Sequence, residues 1–209
     1  ARSFHNTIED IAEHYPPQVL RLLMNHIGTH DTPRALTVLA GEPDQGRGRE
    51  WQAARTLSPQ QRERGLRLMR LASALQYCLP GVPCIYYGDE AGMEGYRDPF
   101  NRGCYPWGRE DAGLLQWYRR LGRLRHVAPA LQEGRYRPVA APADTVCFQR
   151  LAGESALLCA VNRAEGERTI LLPPRWHART VNLGGGWVEG EILHLPALEC
   201  AILLDNGEE

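Results

Sequence analysis

The sequence predicts an α/β portion followed by an all-β portion, with the change falling near Glu133. Three observations predict it. Two apolar runs, residues 22–27 and 82–87, have the near-continuous hydrophobicity of strands covered on both faces rather than the alternation of half-exposed ones. The sequence between them carries helical spacing, so strand, crossover helix and second strand make a βαβ unit. Beyond Glu133, short strand-like runs at 145–150, 155–162, 168–172, 191–195 and 199–204 alternate with Gly, Asn and Pro turn signals at hairpin spacing, the pattern of a small antiparallel sandwich.

In chain order, Thr7-Ile8-Glu9-Asp10 opens a short helix with Thr7 as its cap and Ile8, Ile11 and Ala12 on one face, and Pro16-Pro17 stops it. Leu22, Leu23, Met24 and Ile27 suit a buried parallel strand. That strand ends in Thr29-His30-Asp31-Thr32-Pro33-Arg34, at the carboxyl end where parallel α/β sheets present side chains to ligands. Taken alone, the same stretch slightly favours a plainer reading, in which Asp31-Thr32-Pro33 caps the next helix and His30 is a satisfied loop histidine. Residues 35–40 continue as apolar, helix-like sequence, and 41–49 form a polar, glycine-containing connection. Ser58-Pro59-Gln60-Gln61 is a helix start with serine at the cap, proline at the first helical position and glutamine three residues on. Leu68, Leu71, Ala72 and Leu75 then keep the spacing of a helix packed on a sheet, with Arg62, Glu63, Arg64, Arg67 and Arg70 as its solvated face. The second strand tolerates Pro83 because it lies at its start. Residues 88–107 are too long and too polar for a plain connector, and long loops at strand carboxyl ends are where function concentrates. Leu114, Trp117, Leu121 and Leu124 mark another amphipathic helix, with Arg119, Arg120, Arg123 and Arg125 expected as solvated surface. Residues 206–209 are expected to fray.

Composition sets limits. In 209 residues the hydrophobic share is 43%, the charged share 23% and the net charge −1, an ordinary globular balance with no general pull toward nucleic acid or an anionic membrane. No apolar run has the length of a bilayer span. All 24 basic residues are arginine, which excludes Schiff-base chemistry from a lysine of this chain. Cys78, Cys84, Cys104, Cys147, Cys159 and Cys200 form no C-x-x-C pair and read as buried small hydrophobes rather than a zinc site or disulfide framework, which favours a reducing, cytoplasmic compartment. Ala1 is not expected to be the native start, so a leader peptide is not judged from this sequence.

Two stretches in order, Thr29-His30-Asp31-Thr32-Pro33-Arg34 and Gly81-Val82-Pro83-Cys84-Ile85-Tyr86-Tyr87-Gly88-Asp89-Glu90-Ala91-Gly92, resemble the α-amylase superfamily, glycoside hydrolase family 13. The first matches that family's signature after the seventh barrel strand, the second its eighth strand and the following loop. Asp98-Pro99, Arg102 and Pro106-Trp107 extend the likeness to the neopullulanase, cyclomaltodextrinase and maltogenic amylase subgroup. The resemblance covers most of the first 130 residues and the remainder by architecture. It implies that residues 1–132 are the carboxyl-terminal portion of a (β/α)8 TIM barrel, with its seventh and eighth strands, and residues 133–209 the β-sandwich domain that follows.

The resemblance also implies roles. Retaining glycoside hydrolysis uses two carboxyl groups about 5–5.5 Å apart around an oxocarbenium-like transition state. The family adds a third carboxylate, and the match assigns that role, transition-state stabilisation, to Asp31, with His30 donating to hydroxyls of the same sugar. Asp98 and Arg102 match residues that contact a neighbouring glucose unit, a role weighed equally against a local ion pair holding their loop. Trp107 is the aromatic most suited to sugar contact, whereas Tyr86 and Tyr87 fit the core better. Arg34 is expected to anchor the His30-Asp31 loop and Glu90 to support the loop beneath the sugar. No cofactor and no metal site is expected. The family's nucleophile segment, G-x-R-x-D in type, and its acid/base glutamate have no match. Gly95-Tyr96-Arg97-Asp98 follows the wrong strand, and its arginine and aspartate are adjacent. The expectation is therefore the carboxyl-terminal part of a retaining α-glucan hydrolase that is inactive alone. Its implied partners are an α-glucan oligosaccharide and the missing amino-terminal barrel segment, and homo-oligomers are compatible with it. The alternative is a non-catalytic carbohydrate-binding or assembly module.

Overall fold

The computed structural model describes residues 2–207. The elements run α1 (Arg2–His14), α2 (Pro17–Leu20), β1 (Met24–His26), α3 (Ala35–Ala40), α4 (Arg49–Ala53), α5 (Pro59–Cys78), β2 (Val82–Cys84), a 3-10 turn (Phe100–Arg102), α6 (Ala112–Val127) and α7 (Pro129–Glu133). Strands β3 (Arg135–Val139), β4 (Thr145–Ala152), β5 (Ser155–Asn162), β6 (Arg168–Leu171), β7 (Leu183–Gly184), β8 (Trp187–Glu189), β9 (Ile192–Leu195) and β10 (Glu199–Asp205) follow. An α/β portion thus precedes an antiparallel β portion. No helix among the described residues is long and apolar enough to cross a membrane. The chain forms two compact units. One holds the described residues of Ala1–Asn25, Ala74–Pro83 and Arg120–Glu209, the other His26–Ser73 and Cys84–Arg119.

In the first unit the β portion is a sandwich. A five-stranded sheet, ordered β3-β4-β5-β10-β7, faces a three-stranded sheet, ordered β6-β9-β8. Cys147, Leu158, Ala160, Ala201 and Leu203 from one share a core with Ile170, Leu193 and Leu195 from the other. Every residue of β5 is buried, and α7 packs against both β4 and β5. Trp176 fills the core with no exposed surface and satisfies its indole N–H on Gln149 Oε1 at 2.7 Å. The strands expected at 145–150, 155–162, 168–172, 191–195 and 199–204 are all present to within two residues at each end, and β3, β7 and β8 are additional.

Several expectations are corrected. Thr7 does not cap a helix. α1 starts at Arg2, and the Thr7 hydroxyl donates to the Ser3 carbonyl at 3.0 Å, while His5 is buried against the Tyr136 hydroxyl at 2.6 Å. That tertiary contact carries the helix past its local cap signal. Arg125 is not solvated surface: its guanidinium is partly buried and donates to the carbonyls of Leu131 at 2.9 Å and Gly81 at 2.7 Å. Arg150 is fully buried on the carbonyls of Gly134 (2.9 Å) and Cys78 (2.8 Å) at the end of α5, and burial lowers its pKa to about 10. No cysteine is in a disulfide among the described residues, but Cys104 is exposed and Cys84 half-buried, so only four behave as core residues. Asn206 is held by the Ser155 hydroxyl at 3.3 Å, and Glu208 and Glu209 of the expected tail lie outside the described residues.

The two strands of the α/β portion are shorter and barer than expected. β1 and β2 pair as a two-stranded sheet, the Val82 amide donating to the Leu23 carbonyl at 2.7 Å. Leu22 is 73% and Met24 63% exposed, and Val82, Ile85 and Tyr87 are exposed as well. Each strand has one strand neighbour among the described residues, so apolar side chains suited to a buried sheet lack cover.

In the second unit α5 begins as its sequence dictates. The Ser58 hydroxyl accepts the Gln61 amide at 3.2 Å and the Gln61 side chain accepts the Ser58 amide at 2.9 Å, a reciprocal capping box. Leu36, Met69, Leu71 and Leu114 are buried, and Trp117 donates to Ser73 Oγ at 2.9 Å. Gly65 lets α3 and α5 touch: a Cβ there would come 2.7 Å from Leu36 Cδ1. Arg67 and Glu63 stand on the expected solvated face and pair there, whereas Arg62 is drawn inward to the Gly92 carbonyl (3.1 Å) and Glu94 (3.2 Å).

Candidate functional site

The loop after β1 is shaped by two threonines. Thr32 N donates to the Thr29 carbonyl at 3.3 Å, Thr29 N to Thr32 Oγ1 at 3.2 Å, and Asp31 N to Thr29 Oγ1 at 3.3 Å. With the backbone donors taken up inside this tight turn, the side chains between the threonines are pushed outward. His30 and Asp31 stand 62% and 73% exposed, Nε2 to Oδ1 3.1 Å apart. Asp31 does not cap the next helix. Arg34 occupies the position before α3, and no side chain caps that helix.

Beneath the turn lies Arg34, 1% exposed. Its guanidinium donates to the Tyr87 carbonyl and lies over the rings of Tyr86 (4.2 Å) and Tyr87 (4.6 Å). Its backbone amide donates to the Gly95 carbonyl at 2.8 Å, and the Gly95 amide returns to Thr37 Oγ1 at 2.8 Å. The loop after β1 is thereby stitched to the loop after β2. Asp89 is the acidic partner, 3.7 Å from Arg34 Nη1 and 1% exposed, with neither oxygen hydrogen-bonded among the described residues. Burial, only partly offset by Arg34, raises its pKa to about 6. Gly28 makes room for it, since a Cβ there would sit 2.5 Å from Asp89 Oδ2.

The other candidates fall as follows. Glu90 Oε2 accepts the Gly88 amide at 2.9 Å, closing its own turn. Asp98 and Arg102 form an exposed ion pair at 2.8 Å. Trp107 is 80% exposed and rests on Tyr105, ring centres 4.5 Å apart, and no hydrogen bond or ring contact among the described residues joins it to the His30-Asp31 turn. Glu94 is engaged by Arg62 and by the Leu57 amide at 2.6 Å. Of Asp31, Asp89, Glu90, Glu94 and Asp98, Asp31 alone has neither an arginine nor a backbone amide on its side chain among the described residues. Paired with the His30 imidazole, it offers an acceptor and a donor side by side to a hydroxylated ligand, and a negative charge to developing positive charge.

Sequence reasoning missed Asn101. It is fully buried, and its amide Nδ2 donates to the carbonyls of both His30 and Thr32 at 2.8 Å. An asparagine inside a polar loop carries no signal of its own, and the contact spans the two strand-end loops. Asp89, not its neighbour Glu90, is the partner of Arg34. Among the described residues no group of three or more His, Cys, Asp or Glu is placed to hold a metal ion. The first unit has a separate cavity of about 400 Å³, lined by residues including Glu9, Arg21, Glu133 and Tyr136 and by none of the residues of these loops.

No family model matches the chain. An amylopullulanase of Thermoanaerobacter thermohydrosulfuricus is 37% identical over 150 residues, covering 72% of this chain and 10% of that protein. A cyclomaltodextrinase of Geobacillus thermopakistaniensis is 29% identical over 177 residues, covering 83% of this chain and 26% of that protein. The ligand-free structure of the cyclic α-maltosyl-(1→6)-maltose hydrolase of Arthrobacter globiformis matches with a TM-score of 0.73 at 28% identity, over 98% of this chain and 39% of that one. With two loop motifs in order, an α/β portion running into a β-sandwich, and relatives of this kind matching most of its length, the chain belongs to glycoside hydrolase family 13, the α-amylase superfamily.

Proposed function

We propose that residues 1–132 supply the seventh and eighth strands of a (β/α)8 barrel and residues 133–209 its following β-sandwich domain, within a longer retaining α-glucan hydrolase. Asp31 is the transition-state-stabilising carboxylate and His30 the donor to hydroxyls of the same sugar. The observation that carries this reading is the exposure of Asp31: Asp89, Glu90, Glu94 and Asp98 are tied to arginines or amides, while Asp31 stands exposed beside an imidazole. A carboxylate left without a fixed partner binds positive charge as it develops, which is stabilisation spent on the transition state rather than the ground state.

Asp98 and Arg102, already paired, present a polar edge to a neighbouring glucose unit, and Trp107 offers a flat apolar face to sugar C–H groups. The substrate class is α-glucan of the maltodextrin, cyclodextrin or pullulan type, in keeping with the names of the relatives. The nucleophile and acid/base belong to the rest of the protein, and the cytoplasm is the proposed location, in keeping with six cysteines outside any disulfide among the described residues.

The test is release of reducing sugar from pullulan and cyclodextrin by the full-length gene product, by its Asp31→Asn variant and by this chain alone. Activity is expected in the first, with a loss of several hundredfold or more in the variant and none from the isolated chain. Turnover by the chain alone, or full activity in the variant, overturns the assignment. A chain that binds oligosaccharide unaided, in a protein that cleaves none, supports the binding-module alternative instead.

A further inference from the structure

We infer that Asn101 is a positioning residue for Asp31, and that through it the Asp98–Arg102 edge is mechanically coupled to the catalytic turn. The inference rests on the α-glucan hydrolase reading. One amide nitrogen reaches the carbonyls of His30 and Thr32, both at 2.8 Å, and so grips the backbone on either side of Asp31. The turn's own hydrogen bonds are longer, from 3.2 to 3.4 Å, and leave the outward residues exposed, so the short contacts from Asn101 supply the external restraint.

The residue type fits that task. An amide NH2 carries two hydrogens that can fork to two acceptors, whereas a carboxylate would bring only acceptors to face two carbonyls. Asn101 has no exposed surface, and its own Oδ1 finds no donor among the described residues, so the two carbonyls are the hydrogen-bond partners that orient it. It lies in the Phe100–Arg102 turn, between the ion-paired Asp98 and Arg102. A sugar that draws on that pair therefore moves the element that holds the Asp31 backbone. The fall in rate expected from a small misplacement of a charge-stabilising group is large, because such stabilisation depends on geometry fixed before the reaction.

The experiment uses the full-length gene product with a cyclodextrin or maltooligosaccharide as substrate. Asn101→Ala is expected to lower kcat about ten- to a hundredfold with KM changed less than about threefold, and to lower the unfolding temperature while unfolding stays cooperative. Asn101→Asp is expected to be as slow near neutral pH and to recover, relative to wild type, as acid protonates the introduced carboxyl and restores one donor. An unchanged kcat in Asn101→Ala overturns the role. If that variant fails to fold, the acid recovery of Asn101→Asp decides: its presence supports the role and its absence overturns it. An active wild type silenced by Asp31→Asn yet indifferent at Asn101 refutes the positioning role alone, whereas a wild type that cleaves no α-glucan refutes the underlying hydrolase reading.

Discussion

Asp89→Asn removes the one buried carboxylate of the site that has no hydrogen bond among the described residues, and its effect has a sign set by the geometry. In the folded chain burial raises the Asp89 pKa from 3.8 to about 6, so between those values the native state holds a proton that the unfolded chain has released. Stability from this group is present at low pH and falls as pH rises through the window. Working the two-state titration from about pH 5 to about pH 7.5 gives a loss of about 1.4 kcal/mol. The asparagine variant has no such gradient. Asp205, held low by the Gly207 amide and by Arg175, titrates in the opposite sense but identically in both proteins, and cancels in the difference. Urea unfolding of both proteins at the two pH values is the assay, with the wild type expected to gain on the variant in acid by about that amount. A difference independent of pH, or one that favours the variant in acid, refutes the reasoning that burial outweighs Arg34 at this site.

Trp176→Ala opens a cavity in the sandwich and strands Gln149, at an expected cost of about 3–5 kcal/mol read as a lowered urea midpoint; a loss under about 1 kcal/mol contradicts the core assignment. Arg150→Met leaves the carbonyls of Gly134 and Cys78 without their buried donor, for an expected loss of about 1–3 kcal/mol each. The isolated chain is expected to self-associate in light scattering through the bare surface that carries Leu22, Met24 and Val82, and Met24→Glu is expected to reduce association. A monomer at all concentrations contradicts this.

Where the information was local, the residues declared the structure. Ser58 and Gln61 announced the start of α5, and the turn-punctuated runs after Glu133 announced the sandwich, because caps and hairpins are decided by neighbours in sequence. The His30-Asp31 turn was equally visible through its motif. What stayed hidden depends on contacts between distant segments. Thr7 looked like a cap until His5 met Tyr136, and Arg125 looked like surface until its guanidinium met the carbonyls of Gly81 and Leu131. Leu22 and Met24 read as buried because their composition suits two-sided cover, which the described chain does not supply. Asn101 and Asp89 are polar residues in polar loops. Their roles come from where the second loop folds against the first, and no local pattern encodes that.

The role of Asp31 requires that its exposed carboxylate meet sugar. A crystal structure of the full-length gene product with a bound maltooligosaccharide inhibitor measures that directly. The result predicted is Asp31 and the His30 imidazole within hydrogen-bond distance, about 2.6–3.2 Å, of hydroxyls on one ring, with the Asn101 amide still on the carbonyls of His30 and Thr32. A ring bound elsewhere, with Asp31 turned to solvent or captured by an arginine, contradicts it.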